Sequence, residues 1–141
     1  MWGNIMKTRA FDPIEKRWRT DYAIMPDGSI YEIYASEEYV TQLINRVNWK
    51  LSRFTGQLDE DGTEIYEHSI VECCIMEDIN MDEGIVWGPT IRDVVIFDTN
   101  EGMFRLSRYR GIPLVQHSLI EFVEVVGSIF ENPELLEEVT K

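Results

Sequence analysis

The sequence predicts a mainly β protein with a minor helical part, α+β in class. Short apolar runs of strand length recur along its 141 residues, several of them alternating with polar residues as half-buried strands do. Turn chemistry separates them: Pro26-Asp27-Gly28-Ser29, Asp61-Gly62 and Asp98-Thr99-Asn100-Glu101-Gly102, in which glycine takes positive φ without a Cβ clash. Helix signals are confined to two stretches. The chain is organised around Phe54 to Glu72, a β-rich corner. It breaks at Thr55-Gly56, turns at Asp61-Gly62, restarts as Glu64-Ile65-Tyr66 and runs on into Ile70-Val71-Glu72.

Thr8-Arg9-Ala10-Phe11 reads as a strand ended by Asp12-Pro13, a turn start with proline at its second position. Lys16-Arg17-Trp18-Arg19 places a basic cluster around one indole. Such interleaving can read single-stranded nucleic acid; the plainer reading is a buried Trp18 flanked by solvated arms. Ala23-Ile24-Met25 and Ile30 to Tyr34 form a hairpin about Pro26 to Ser29. Ser36 then reads as a helix N-cap with Glu37 and Glu38 in the first turn. Tyr39, Val40, Leu43, Ile44 and Val47 follow at helical spacing. Trp49 to Phe54 alternates and enters the corner, and Ile70 to Met76 is a strand buried on most sides. Ile85-Val86-Trp87 is a strand ended by Gly88-Pro89; Asp93 to Phe97 and Met103 to Leu106 are two more. A strand from Phe122 to Val126 ends at Gly127. A short helix follows, with Asn132 as cap and Pro133 at its first position, where the missing N–H is harmless.

The charge of −13 is uneven. Residues 1–53 hold eight Lys/Arg against seven Asp/Glu, and the remainder holds five against nineteen. An acidic surface repels phosphate backbones, which argues against ordinary nucleic-acid binding and suits either solubility or mimicry of a nucleic acid. In the acidic half Arg105, Arg108 and Arg110 with Tyr109 form a basic island. It reads as counter-charge for nearby carboxylates, with a partner contact as the sharper alternative.

Asp78-x-Asn80-x-Asp82 copies the start of a calcium loop. The sixth and twelfth positions of such a loop require Gly and Glu, and here they are Glu83 and Pro89. The stretch is therefore expected to be a solvated acidic hairpin loop that holds no metal. Cys73 and Cys74 are adjacent, so on a strand they face opposite ways and are expected to stay reduced. His68 and His117, the two histidines, lack metal-ligand spacing, and no phosphate-binding or dinucleotide-binding glycine pattern occurs. No enzyme activity and no cofactor are expected. The apolar runs are too short to span a bilayer, and the N-terminus carries no secretory pattern. A cytoplasmic protein of a bacterial cell is expected.

Four stretches together resemble the YopX family, small proteins of phages and prophages without an assigned molecular function. Arg9-Ala10-Phe11-Asp12 is similar to the family's opening. The corner resembles its Thr-Gly-Leu-x-Asp-x-x-Gly-x-x-Ile-Tyr-Glu-Gly-Asp-x-Val pattern, and Ile85-Val86-Trp87 its Val-x-Trp strand. Glu124 to Leu136 is close to its terminal Val-Ile-Gly-Asn-Ile-Tyr-Glu-Asn-Pro-Glu-Leu-Leu. One departure stands out: His68-Ser69 occupies the place of the family's Gly-Asp. The resemblance implies an SH3-type β-barrel in the C-terminal part, residues 49–141 including a short C-terminal helix. It implies a small N-terminal hairpin-and-helix region over residues 1–48. Ile65, Ile70, Val86, Val95, Phe104 and Val125 are expected in the barrel core.

SH3-like barrels mostly act by binding, although fold alone does not fix function. The expectation is a binding module acting on a host or phage protein, with an acidic nucleic-acid decoy as the alternative and a hydrolase or metal-dependent enzyme last. Candidate partner contacts are Trp18, Arg19, Tyr66, Arg108, Tyr109 and Arg110. The sequence leaves the oligomeric state open.

Overall fold

The structure, a computed structural model, describes residues 7–35, 41–109, 114 and 120–139. Among them it is mainly β, with a single short helix. The chain divides into two compact units, Met1–Arg53 and Phe54–Lys141.

In the first unit β1 (Thr8–Asp12) turns at Pro13 into β2 (Arg17–Arg19), with Phe11 opposite Trp18. Asp12 holds the turn: its Oδ1 accepts from the N–H groups of Ile14 and Glu15. β3 (Tyr22–Ile24) and β4 (Ile30–Ala35) form the expected hairpin. Gly28 sits at φ 89° in its turn, and Asp27 accepts from the Ser29 N–H and hydroxyl. β5 (Thr41–Asn45) adds antiparallel to β4, with Glu32 opposite Ile44 and Ile33 opposite Leu43.

This corrects the helix expected from Ser36 to Val47. Leu43 and Ile44 lie on opposite faces of β5 and Val47 falls in the turn beyond it, and pairing with β4 overrides the weak helical preference of a segment containing β-branched residues. Ser36, Glu37, Glu38, Tyr39 and Val40 lie outside the described residues. The core of the unit is Ala10, Ile30 and Trp49, with Tyr22 and Leu51 packed against it.

β6 (Lys50–Leu58) begins in this unit, where Leu51 pairs opposite Ala10. It runs into the second without the break expected at Thr55-Gly56. The strand absorbs that pair as an irregularity between Phe54 and Gln57, with Gly56 at φ 87°. Its far end pairs with β7 (Glu64–Tyr66) across the Asp61-Gly62 turn.

β8 (Ser69–Asn80), β9 (Gly84–Asp98), β10 (Met103–Leu106) and β11 (Ile120–Ser128) make an antiparallel sheet in the order β10-β9-β8-β11. α1 (Glu134–Val139) packs on β9, where Leu135 and Leu136 are half-buried. The core gathers Ile65, Val71, Cys73, Val95, Leu106 and Ile120. Ile70 is buried as well, and Phe104 and Val125 are half-buried against this cluster. Val86 departs from expectation: it is exposed, because the part of β9 that carries it lies beyond the four-stranded region. Cys73 faces the core, and burial pushes its thiol up to about 12, with Cys74 and Asp93 adding to the effect. Cys74 is half-buried beside the Thr90 hydroxyl, and both thiols are free.

Two expected strand ends are corrected. β9 passes through Gly88-Pro89, because these two residues stand opposite Ile75 alone, in a bulge. A bulge is one of the places where a strand tolerates proline. β11 likewise passes through Gly127, with Val126 as its extra residue. The Asn132 side chain fills the space that a Cβ on Gly127 would take. Asn132 opens α1 with its main-chain carbonyl, which accepts from Leu135 N–H at 3.0 Å.

Candidate interaction surface

The first unit carries a cleft of about 890 Å³ built on ion pairs. Arg19 points inward from β2 and is buried. Its Nε and Nη2 grip both oxygens of Asp21 at 3.1 and 2.9 Å. Nη2 also reaches Glu32 on β4 at 2.6 Å, and Nη1 lies 3.4 Å from Asp12 and 3.3 Å from Glu15. Arg46 takes the other oxygen of Glu32 at 2.8 and 2.6 Å. The Trp49 ring lies under both guanidiniums, 4.9 Å from Arg19 and 5.7 Å from Arg46. The hydrogen bond from Arg19 holds the Asp21 carboxyl below its usual value, and the same bond raises the guanidinium. Exposed Ile14 and Val47 flank this polar floor.

In the second unit the sequence corner controls a different feature. Asp59 is buried ahead of the Asp61-Gly62 turn. Its Oδ1 accepts from the N–H groups of Asp61 and Thr63, both at 2.9 Å. Its Oδ2 accepts from Val125 N–H on β11 at 2.9 Å, and Glu60 N–H donates to the Val123 carbonyl at 3.1 Å. These bonds hold β11 where its register with β8 jumps, between Glu121 and Glu124. Phe122 lies inside that jump at φ 59°, a region aromatic residues rarely enter. Its ring is exposed and meets Trp87 of β9 edge-on, with centroids 6.1 Å apart.

Past this row β8 and β9 continue as an arm. Met76 pairs with Trp87, Ile79 with Ile85 and Asn80 with Gly84. Asn80 Oδ1 accepts from the N–H groups of Asp82 and Glu83 and closes the tip. The arm leaves the sheet through two consecutive bulges, Gly88-Pro89 on β9 and Glu77 on β8, a device that bends and twists a strand pair. Space at Gly88 is tight, since a Cβ there would stand 3.1 Å from the Glu77 carboxylate and 3.2 Å from the Ile75 carbonyl oxygen. By strand alternation Ile79, Ile85 and Trp87 share one face. Ile79 is 63% exposed, Ile85 45% and Met81 at the tip 98%.

The residues named from sequence do not converge on one site. Trp18 is half-buried on β2, with the Arg9 guanidinium 3.7 Å above its ring and Phe11 edge-on at 5.2 Å. Arg19 is not a solvated arm, because four carboxylates surround it. Tyr66 is buried against Phe54, and its hydroxyl donates to Glu64 at 3.2 Å. Arg108 is exposed; its N–H donates to buried Asp93, and its side chain lies 3.9 Å from that carboxylate. Tyr109 packs on the second core. Arg110 and His117 lie outside the described residues. Arg105 is buried and bonded to Asp98 at 2.8 Å, a counter-charge role. Asp78 and Asn80 accept from the backbone of their own hairpin, and among the described residues no group of three or more His, Cys, Asp or Glu is placed to hold a metal. Sequence reasoning missed the arm's apolar face. Its signal was Ile79, Met81 and Ile85 set among carboxylates.

This is a mainly β protein of two units, whose surface offers an ion-paired cleft and an apolar hairpin arm. It belongs to the YopX family: a family model described as YopX protein matches residues 7–137. Two solved structures share the fold. Protein yopX from Bacillus subtilis is 21% identical with a TM-score of 0.60, and the match covers 94% of this chain and 98% of that one. Protein EF1440 from Enterococcus faecalis is 20% identical with a TM-score of 0.58, with the same coverages of 94% and 98%. No curated protein matches the chain.

The departure at His68 has a backbone meaning. His68 sits at φ 74°, with its N–H on the Val95 carbonyl and its carbonyl receiving Ile129 N–H. The family's glycine suits that left-handed turn. Here a histidine occupies it, with its ring 5.0 Å from Phe130. His68→Gly and His68→Ala both lose the ring contact, so their difference isolates the backbone. His68→Gly is expected to be the more stable by about 1 kcal/mol in urea titration.

Proposed function

We propose that this protein is a phage- or prophage-encoded binding module that acts by contact with another protein in a bacterial cytoplasm, without catalysis. The observation that carries this reading is the exposed apolar face of the β8–β9 arm. Contiguous exposed apolar surface on a protein of this acidity marks an interaction site more often than a solvated face. An SH3-type barrel over residues 49–141 belongs to the same reading, supported by the all-antiparallel order β10-β9-β8-β11 in the second unit. Affinity capture from host lysate with mass spectrometry is the test, repeated at about 0.5 M salt, where exposed charges are screened. A specific protein retained at high salt is the expected result. Capture of nothing above a mock bait overturns the reading.

The alternative is an acidic decoy of a nucleic-acid-binding protein. It is favoured by the way the second unit consumes its cations: Arg92 is bonded to Glu72 at 2.6 Å and Arg105 to Asp98 at 2.8 Å. A decoy's partner is lost steeply as salt rises, so the same experiment separates the two.

A further inference from the structure

We propose that the β8–β9 arm is the docking surface of this protein and that its occupant is a basic, amphipathic segment of the partner protein. The inference rests on the binding-module reading and names the surface and the chemistry of the ligand.

Apolar side chains are stacked along one face of the arm: Ile79 opposite Ile85, then Met76 opposite Trp87, with Phe122 beside Trp87. Among the described residues β11 pairs with β8 only as far as Ile75, and β10 pairs with β9 only from Val95 on. The stem is thus two-stranded among the described residues, and an isolated hairpin has little stability of its own in water. Phe122 is held at φ 59° by the β11 irregularity that Asp59 and Glu60 grip. Strained backbone of this kind persists where surrounding structure enforces it, and it gathers at binding sites. Here it puts an exposed ring in line with the arm.

Charge selects the occupant. Exposed Glu77 stands in the bulge next to Met76, and exposed Asp82 and Glu83 close the tip beside Ile79 and Ile85. Asp78, opposite Val86, adds its charge on the other face, and no Lys or Arg occurs between Phe54 and Ile91. The next cation, Arg92, is bonded to Glu72. A second copy would bring the same carboxylates against these, in a chain of net charge −13. Nucleic acid and anionic lipid would bring phosphates. A segment alternating Lys or Arg with apolar residues satisfies both the face and its edges.

The test titrates isotopically labelled full-length protein with a short alternating Lys-Leu peptide, against a Lys-Ser peptide of equal charge. NMR shifts are expected at residues 76–87 and 122. The Lys-Leu peptide is expected to bind about tenfold tighter or more, the worth of one or two buried aliphatic side chains. The double variant Ile79→Ser/Ile85→Ser should lose that advantage and keep its melting midpoint, while Ile14→Ser in the first unit should keep the advantage. Equal affinity for both peptides, shifts scattered over the acidic surface, or an unchanged double variant overturns the proposal. So does a dimer in sedimentation that the double variant dissolves, because the occupant is then a second copy. Cross-linking in host lysate separates the two levels of inference. A partner captured equally by the native protein and the double variant leaves the binding module standing and removes the arm from it.

Discussion

Replacing Arg19 with leucine is expected to lower the stability of the first unit by about 3–5 kcal/mol, the cost of removing one side of a buried ion pair. The reason is the company left behind. Asp12 and Glu32 are buried, and both lie within reach of this guanidinium. Without it Glu32 keeps Arg46, but Asp12 keeps only the backbone N–H groups of its own turn. Arg19→Lys retains the charge but cannot fork onto Asp21 while also reaching Glu32, so it is expected to fall between the two. Urea titration followed by the fluorescence of Trp18 and Trp49, in a Trp2→Phe/Trp87→Phe background, reads the unit directly.

The same variant has a pH signature. Arg19 holds Asp21 below the ordinary value of 3.8, and Arg105 does the same for Asp98. A carboxyl with a lowered folded-state value stabilises the protein above its unfolded value, and that contribution is lost as pH falls through the folded one. Native stability should therefore fall below the ordinary carboxylate range. Arg19→Leu should lack the Asp21 share of that fall and keep the Asp98 share. A variant with native acid sensitivity and an unmoved midpoint would show that the cluster is incidental to folding.

Asp59→Ala is expected to cost about 3 kcal/mol, because three backbone N–H groups lose a charged acceptor that is itself buried. The bonds at Asp61, Thr63 and Val125 tie the corner to β11. Their loss should be felt at a distance from residue 59, at the Phe122–Trp87 contact. A lowered urea midpoint with red-shifted Trp87 emission is the expected pair of results. A lowered midpoint with unchanged Trp87 emission would mean that β11 keeps its irregularity without the carboxylate. Asp59→Asn retains one acceptor oxygen but turns an amide donor toward donors, so it should recover only part of the loss.

Much of the β framework was legible because its turns are local chemistry. Pro26-Asp27-Gly28-Ser29 and Asp61-Gly62 each hold, within a few residues, the donors, acceptors and positive φ that close a hairpin. Features that depend on distant partners were not legible. Leu43 and Ile44 fit a helix face until β4 pairs with them. Arg19 looked like a solvated arm because Glu32, thirteen residues away, cannot be placed beside it by spacing alone. Gly88-Pro89 and Gly127 read as strand ends because a bulge is a relation between two strands. The arm's apolar face was hidden by the same limit. Asp78 to Gly84 looks like a solvated loop until Ile79 and Ile85 are found opposite one another.

The arm also bears on how the protein behaves in bulk solution. A stem that is two-stranded among the described residues and carries stacked aliphatic side chains is a template for stacking one molecule on the next, and flanking charges are what normally prevent it. Here the gatekeepers are carboxylates: Glu77, Asp78, Asp82 and Glu83. Acidification brings the net charge of the whole chain, −13 at neutral pH, toward zero, and with it goes the repulsion that keeps molecules apart. Turbidity should set in on the acid side as a steep function of pH, reversible where the fold survives, and Ile79→Ser/Ile85→Ser should delay it.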